Sequence, residues 1–265
     1  MFDYHIHSDF SADCKTPMER TIVEAMRLGL DEICFTEHID YDYPDTSIIF
    51  EFDLDAYDKK IAEMQHQYGE QLTIKKGIEI GVQPHQLGMY KDLIDKKYFD
   101  FVICSMHTTE KKDLHSGEFF EGKTQEEAYQ MYYEELLYCV KHFKSFQVLG
   151  HLDLIKRYKK QDSTEKFHAI IGEIFKEIIP EGKGIELNTS GKRYGMENGM
   201  PSTDILQLYK ALGGEIITLG SDSHVETTLA YDFKESLKLL QSLGYKYVST
   251  FENKKPVFHC IKKLL

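Results

Sequence analysis

Short apolar runs alternate along this chain with longer segments whose apolar residues recur at helical spacing. The runs occupy residues 2–7, 32–38, 72–81, 99–107, 146–151, 184–190 and 215–224. Their length and composition predict buried strands, and the segments between them predict helices. Thr16-Pro17-Met18-Glu19 opens the first helix, with Thr16 as N-cap, Pro17 at the first helical position and Glu19 in the opening turn; Leu28-Gly29 closes it. Leu54, Tyr57, Ile61 and Met64 keep the helical period in the second. Thr124-x-x-Glu127 opens a long helix through Tyr138, and Asp162-x-x-Glu165 opens one whose apolar side carries Phe167, Ile170, Ile171, Ile174 and Ile178. Further helices are predicted over 202–212 and 234–243, with a last one over 254–265.

Seven strands alternating with helices make parallel β/α units, which fit an open doubly wound sheet or a closed barrel. The polar residues at the strand ends separate the two. The first run closes on His5-Ile6-His7, whose imidazoles share one side because strand side chains alternate. The second closes on Thr36-Glu37-His38 and the third carries Glu79 in GIEIG. The fourth ends in Ser105-Met106-His107, the fifth in Gly150-His151 and the seventh in Ser221-Asp222-Ser223-His224. The sixth ends in Asn188-Thr189-Ser190 and offers no such group. An open sheet would string these residues along a line. A barrel gathers them at one mouth, where barrel enzymes do their chemistry. The expectation is an α/β, TIM-like barrel of seven units in a single domain over 1–265.

Imidazole nitrogen with carboxylate oxygen suits Zn, Mn or Fe, and the lack of thiolate ligands argues against a structural zinc knot. Six histidines with Asp222 and Glu79 exceed what one ion takes, so two or three divalent ions are expected. Neighbouring ions about 3.5–4 Å apart suit hydrolysis at phosphorus. Taken singly, His151 would pass for a core histidine, Glu79 for a solvated residue and 221–224 for a helix cap. Their recurrence at corresponding strand ends makes the metal reading. The remaining histidines (His66, His85, His115, His142, His168, His259) read as ordinary, with His85 and His115, which follow motif strands, keeping a small chance of touching a substrate.

The net charge is −12, and the lysines are scattered in doublets, so a nucleic-acid partner is not expected. Five cysteines without C-x-x-C spacing argue against a disulfide framework and for a reducing compartment. No apolar run reaches eighteen residues and the chain enters a strand at once, so no membrane span and no signal peptide are expected. These signs place the protein in the cytoplasm.

HIH, TEH, GIEIG, CSMH, GH and SDSH, in this order, resemble the PHP (polymerase and histidinol phosphatase) family over nearly the whole chain. The resemblance implies a distorted (β/α)7 barrel with a two- or three-ion cluster at its mouth. GHLDLIKRY and EGKTQEEAYQMYYEE, with the chain length, resemble the members that hydrolyse L-histidinol phosphate to L-histidinol and phosphate in histidine biosynthesis. Carried over, the metal ligands are His5, His7, Asp13, His38, Glu79, His107, His151, Asp222 and His224, with Glu79 bridging and Asp13 the least secure.

Such an enzyme would use a metal-bridging hydroxide as nucleophile, with Asp13 or His38 protonating the leaving alkoxide. Arg157 and Arg193 follow the fifth and sixth strands, and their planar forks match phosphate oxygens; Lys192 is the weaker choice. Tyr129, Tyr132 and Tyr133 share helical spacing and read as packing. The rival readings are another PHP phosphoesterase acting on phosphotyrosine protein or nucleotides, an amidohydrolase-like amide hydrolase, and a non-enzymatic metal-binding protein. No predicted strand ends in the lysine ligand that the amidohydrolase reading asks for.

Overall fold

A computed structural model describes residues 1–158 and 164–265. Strand β1 (Phe2–Ile6) pairs in parallel with β2 (Glu32–Ile39), β2 with β3 (Thr73–Gly81), and β3 with β4 (Phe101–Ser105). After β4 the chain makes a short hairpin of β5 (Thr108–Thr109) and β6 (Lys112–Asp113). The parallel sheet then continues through β7 (Val148–Leu149), β8 (Gly184–Asn188) and β9 (Ile217–Gly220). The edges meet. Ile6 bridges Ser223, His7 N donates to Ser223 O at 2.9 Å and Asp222 N donates to His5 O at 2.7 Å. The sheet is a seven-stranded barrel, as expected.

Helices α1 (Met18–Arg27), α2 (Leu54–Tyr68), α3 (Leu87–Lys96), α4 (Gln125–His142), α5 (Ile155–Tyr158), α6 (His168–Ile178), α7 (Thr203–Ala211) and α8 (Phe233–Ser242) lie between and after the strands. Side-chain caps fix the starts of α2 and α4. Thr124 and Glu127 form the expected capping box on α4, and Asp53 caps α2 through the backbone N–H groups of Asp55 and Ala56. Tyr129, Tyr132 and Tyr133 are buried on α4. The amphipathic faces of these helices and the outward residues of the strands form the main core, including Ile22, Ile33, Phe35, Ile78 and Ile80. Asp162, expected as a helix N-cap, lies outside the described residues.

Two expectations need correction. Thr16 does not cap α1: Pro17 occupies the N-cap position, and the Thr16 hydroxyl donates to His224 O at 3.0 Å. The cap residue is drawn off to hold the loop after β9. The first half of residues 254–265 is strand, not helix. A hairpin of β10 (Tyr247–Glu252) and β11 (Lys255–Cys260) ends in the four-residue α9 (Ile261–Leu264). Asn253 and Lys254 turn it with φ of 51° and 62°, the positive pair a tight hairpin turn requires. Pro256, which cannot donate to a ladder, sits on this edge strand. The hairpin brings Phe251 against Tyr4, Cys34, Phe101, Ile103 and Val148. These residues fill the N-terminal half of the barrel, with the Tyr4 and Phe101 rings edge-on at 5.0 Å.

Candidate active site

The same strands turn polar towards their C-terminal ends. β1 spends three residues where β2 spends two, because Asp3 pairs with Ile33 but Ile6 with Phe35. This one-residue bulge lets consecutive side chains face inward: Tyr4 joins the apolar plug and His5 enters the site. Gly220 makes room beside His5. A Cβ there would lie 2.0 Å from Glu186 Oε1 and 2.5 Å from His5 Cβ.

Glu79, fully buried, is the hub. Its Oε2 lies 3.1 Å from His5 Nε2, 3.0 Å from His38 Nδ1 and 3.7 Å from His7 Nε2. Its Oε1 lies 3.0 Å from His151 Nε2 and 3.3 Å from His107 Nε2, and accepts from Ser105 Oγ at 2.6 Å. Asp222 Oδ1 lies 3.6 Å from His7 Nε2 and 3.8 Å from His5 Nε2. Asp222 adopts a left-handed φ of 52°, held by its N–H bond to His5 O. The His7 ring stacks on those of His38 and His224, both at 4.2 Å. Asp13 sits at the rim, its Oδ2 3.3 Å from His224 Nε2 and 3.7 Å from His38 Nε2. All nine residues expected as metal ligands therefore meet at one mouth.

Charge in this cluster is strongly redistributed. Burial opposes ionisation of Glu79, but His5, His38 and His107 outweigh it and hold the carboxyl well below its ordinary range. Burial likewise opposes charge on His38, yet Glu79 and Asp13 push it up to about 9. His7 goes the other way: burial and the His224 and His38 imidazoles hold it well below the usual histidine value.

A second layer orients the rings, and reading strand ends alone missed it. His5 Nδ1 donates to Glu186 Oε1 at 2.6 Å, and Glu186 Oε2 accepts from His151 N at 2.8 Å. His107 Nδ1 donates to Asp40 Oδ1 at 2.6 Å. Ser11 Oγ donates to Glu37 and accepts from His7 Nδ1 at 3.2 Å. These bonds leave the Nε2 atoms of His5, His7 and His107 facing the cluster, the usual arrangement of metal-ligating histidines. The signal was present: Asp40 lies two residues after His38, and Glu186 two before Asn188, on the same inward sides.

The residues fit a multinuclear metal centre. The Nε2 atoms of His5 and His7, Nδ1 of His38 and Oε2 of Glu79 are buried without a hydrogen-bond partner. Four triads bring one ligand atom from each member within 4.8 Å of the others: His7-His38-His224, His5-His7-Asp222, His5-Glu79-His151 and His38-Glu79-His107. Asp13 belongs to none of them and would join from the rim.

Above this floor opens a cavity of about 480 Å³, lined among others by Asp13, His38, His107, His151, Asp222 and His224. Arg157 and Arg193 line it too. Arg193 donates from Nη1 to Ser221 O and from Nη2 to Asp222 O, both at 2.8 Å, so part of its fork braces the turn that carries Asp222. Lys192 is paired with Asp232 at 2.7 Å. His115 lines the cavity, whereas His85 pairs with Asp42 and His168 with Asp204. Among the described residues, no helix is long and apolar enough to cross a membrane.

A parallel barrel whose buried floor presents unpartnered ring nitrogens around one carboxylate is the frame of a metal-dependent hydrolase. The PHP domain model matches residues 3–190, and the chain belongs to that family. It is 34% identical over 258 residues to the histidinol-phosphatase of Lactococcus lactis, covering 96% of this chain and 95% of that protein. It is 32% identical over 254 residues to a probable histidinol-phosphatase of Clostridium acetobutylicum, covering 94% and 96%. The crystal structure of the Lactococcus lactis histidinol phosphate phosphatase, complexed with Zn, L-histidinol and phosphate, superposes with a TM-score of 0.86 at 31% identity. That match covers 97% of this chain and 98% of the other.

Proposed function

We propose that this protein hydrolyses L-histidinol phosphate to L-histidinol and inorganic phosphate as a metal-dependent phosphomonoesterase. One observation carries the reading: the Glu79-centred cluster of buried, unpartnered imidazoles opens into the same cavity as the Arg157 and Arg193 guanidinium groups. The full-length likeness to histidinol-phosphatases supports the choice of ester.

His5, His7, Asp13, His38, Glu79, His107, His151, Asp222 and His224 would hold two or three divalent ions, Zn, Mn or Fe. Bound there, such ions supply Lewis acidity towards the phosphoryl oxygens and lower the pKa of water from 15.7 to roughly 7. The protein supplies the rest. Glu79 and Asp222 offset the ions' charge, and Glu186, Asp40 and the Ser11–Glu37 pair fix the ring orientations. Arg157 and Arg193 bind the phosphoryl oxygens and hold phosphorus over the floor. Water's oxygen bonds to phosphorus, the ester P–O bond breaks, and the histidinol alkoxide takes a proton. Asp13 and His38 are the candidate donors: both line the cavity, 3.7 Å apart.

The test is phosphate release from L-histidinol phosphate beside phosphotyrosine peptide, nucleotides and sugar phosphates, with Zn, Mn or Fe supplied. Catalytic efficiency far above the panel's supports the assignment. Equal, feeble rates across the panel discard it and favour a broader phosphoesterase.

A further inference from the structure

Arg157 and Arg193 share the cavity wall but are held in different ways. Arg193 is fixed by hydrogen bonds to the carbonyl oxygens of Ser221 and Asp222. The Arg157 guanidinium has no hydrogen bond or ion pair to the described residues; its Cζ lies 3.1 Å from the centroid of the Tyr194 ring. At that separation the group must lie flat on the ring, because an upright approach would drive a guanidinium nitrogen inside van der Waals contact. A flat stack uses the π face of the cation and leaves its in-plane N–H donors free. Tyr194 and Arg157 come from different connections, the turn after β8 and the short helix α5 after β7, and both line the cavity. The loop after the one barrel strand that ends without a predicted metal ligand therefore delivers the surface that orients the cation from its neighbour.

We propose that Tyr194 is a positioning residue for the substrate's phosphate, its ring face holding the Arg157 guanidinium flat so that the donor edge points into the cavity. The ring does not touch the substrate; it preorganises the side chain that does. This rests on the phosphate-ester reading above.

The experiment measures binding of inorganic phosphate and, separately, of L-histidinol to the metal-loaded wild type, Tyr194→Leu, Tyr194→Phe, R157M and the Tyr194→Leu/R157M double variant, with metal content determined for each. Tyr194→Leu should weaken phosphate about tenfold, the order of one cation–π stack, while Tyr194→Phe stays within about twofold of wild type. L-histidinol binding and metal content should stay unchanged, and Tyr194→Leu should cost nothing further once Arg157 is gone. The proposal is overturned if Tyr194→Leu binds phosphate as wild type does, if Tyr194→Phe is as weak as Tyr194→Leu, or if Tyr194→Leu still weakens phosphate in the R157M background. These are binding measurements and need no turnover. Failure of the wild type to cleave histidinol phosphate, with this affinity pattern intact, removes the substrate assignment and leaves the positioning role standing.

Discussion

The two halves of the barrel interior are built from the same strands and do opposite things. At the N-terminal end Tyr4, Cys34, Phe101, Ile103 and Val148 close on Phe251 in a dry plug. One to four residues further along, the same strands and the turn after β4 present His5, His38, Ser105 and His107 around Glu79. The plug needs no partner beyond itself, because apolar contact saturates it. The mouth is buried almost as deeply but leaves ring nitrogens and a carboxylate oxygen unpartnered, a costly state for a protein alone. One half is stability and the other is a binding site held open by it.

Variants can break that division. Glu79→Ala removes the carboxylate shared by His5, His38, His107 and His151. It should lose bound metal and drop hydrolysis to background; metal analysis beside a phosphate-release assay checks both. Full activity with full metal would end the hub assignment. Phe251→Ala should lower unfolding stability by about 3–5 kcal/mol, with kcat of the folded fraction unchanged. Denaturant unfolding with kinetics at low temperature reads this, and a matching loss of kcat would show that the halves are coupled. Glu186→Gln keeps size but weakens the 2.6 Å bond to His5 Nδ1. It should cost about 10–100-fold in metal affinity or activity, with stability nearly unchanged.

The same contrast explains what was legible in the sequence. The strand ends were legible because a chemically unusual residue recurred at each, and all nine expected ligands do meet. The fold followed from the same recurrence, since only a closed sheet gathers such ends. Asp40 and Glu186 were not singled out, since a buried carboxylate behind a histidine reads like any polar residue until the facing ring is known. The β1 bulge is a miscount of one residue that alternation cannot reveal. The second strand of the terminal hairpin was taken for part of a helix because it pairs with nothing in the barrel sheet and opens, directly after Lys254, on Lys255 and Pro256, a poor match to a strand pattern. Its one local signal was Asn253 in the turn.

The smallest effect separates the halves by pH. Without ions, His38 is pushed up to about 9 from 6.5, so at neutral pH its imidazole holds a proton where a metal ligand must hold none. Metal uptake must release that proton, and apparent affinity should rise by up to about tenfold per pH unit between pH 7 and 9 for each proton displaced. The effect on the metal-free fold has the opposite sense. A histidine whose folded pKa is raised contributes stability that is fully present below its unfolded value of 6.5 and is lost as pH rises through about 9. Tm of the metal-free protein should therefore fall over that window while Tm of the metal-loaded protein holds or rises. Calorimetric titration in buffers of different ionisation enthalpy counts the protons directly. Proton-neutral uptake at pH 7 would mean that His38 already holds no extra proton in the empty cluster, and the pH-linked difference between the metal-free and metal-loaded protein would be lost.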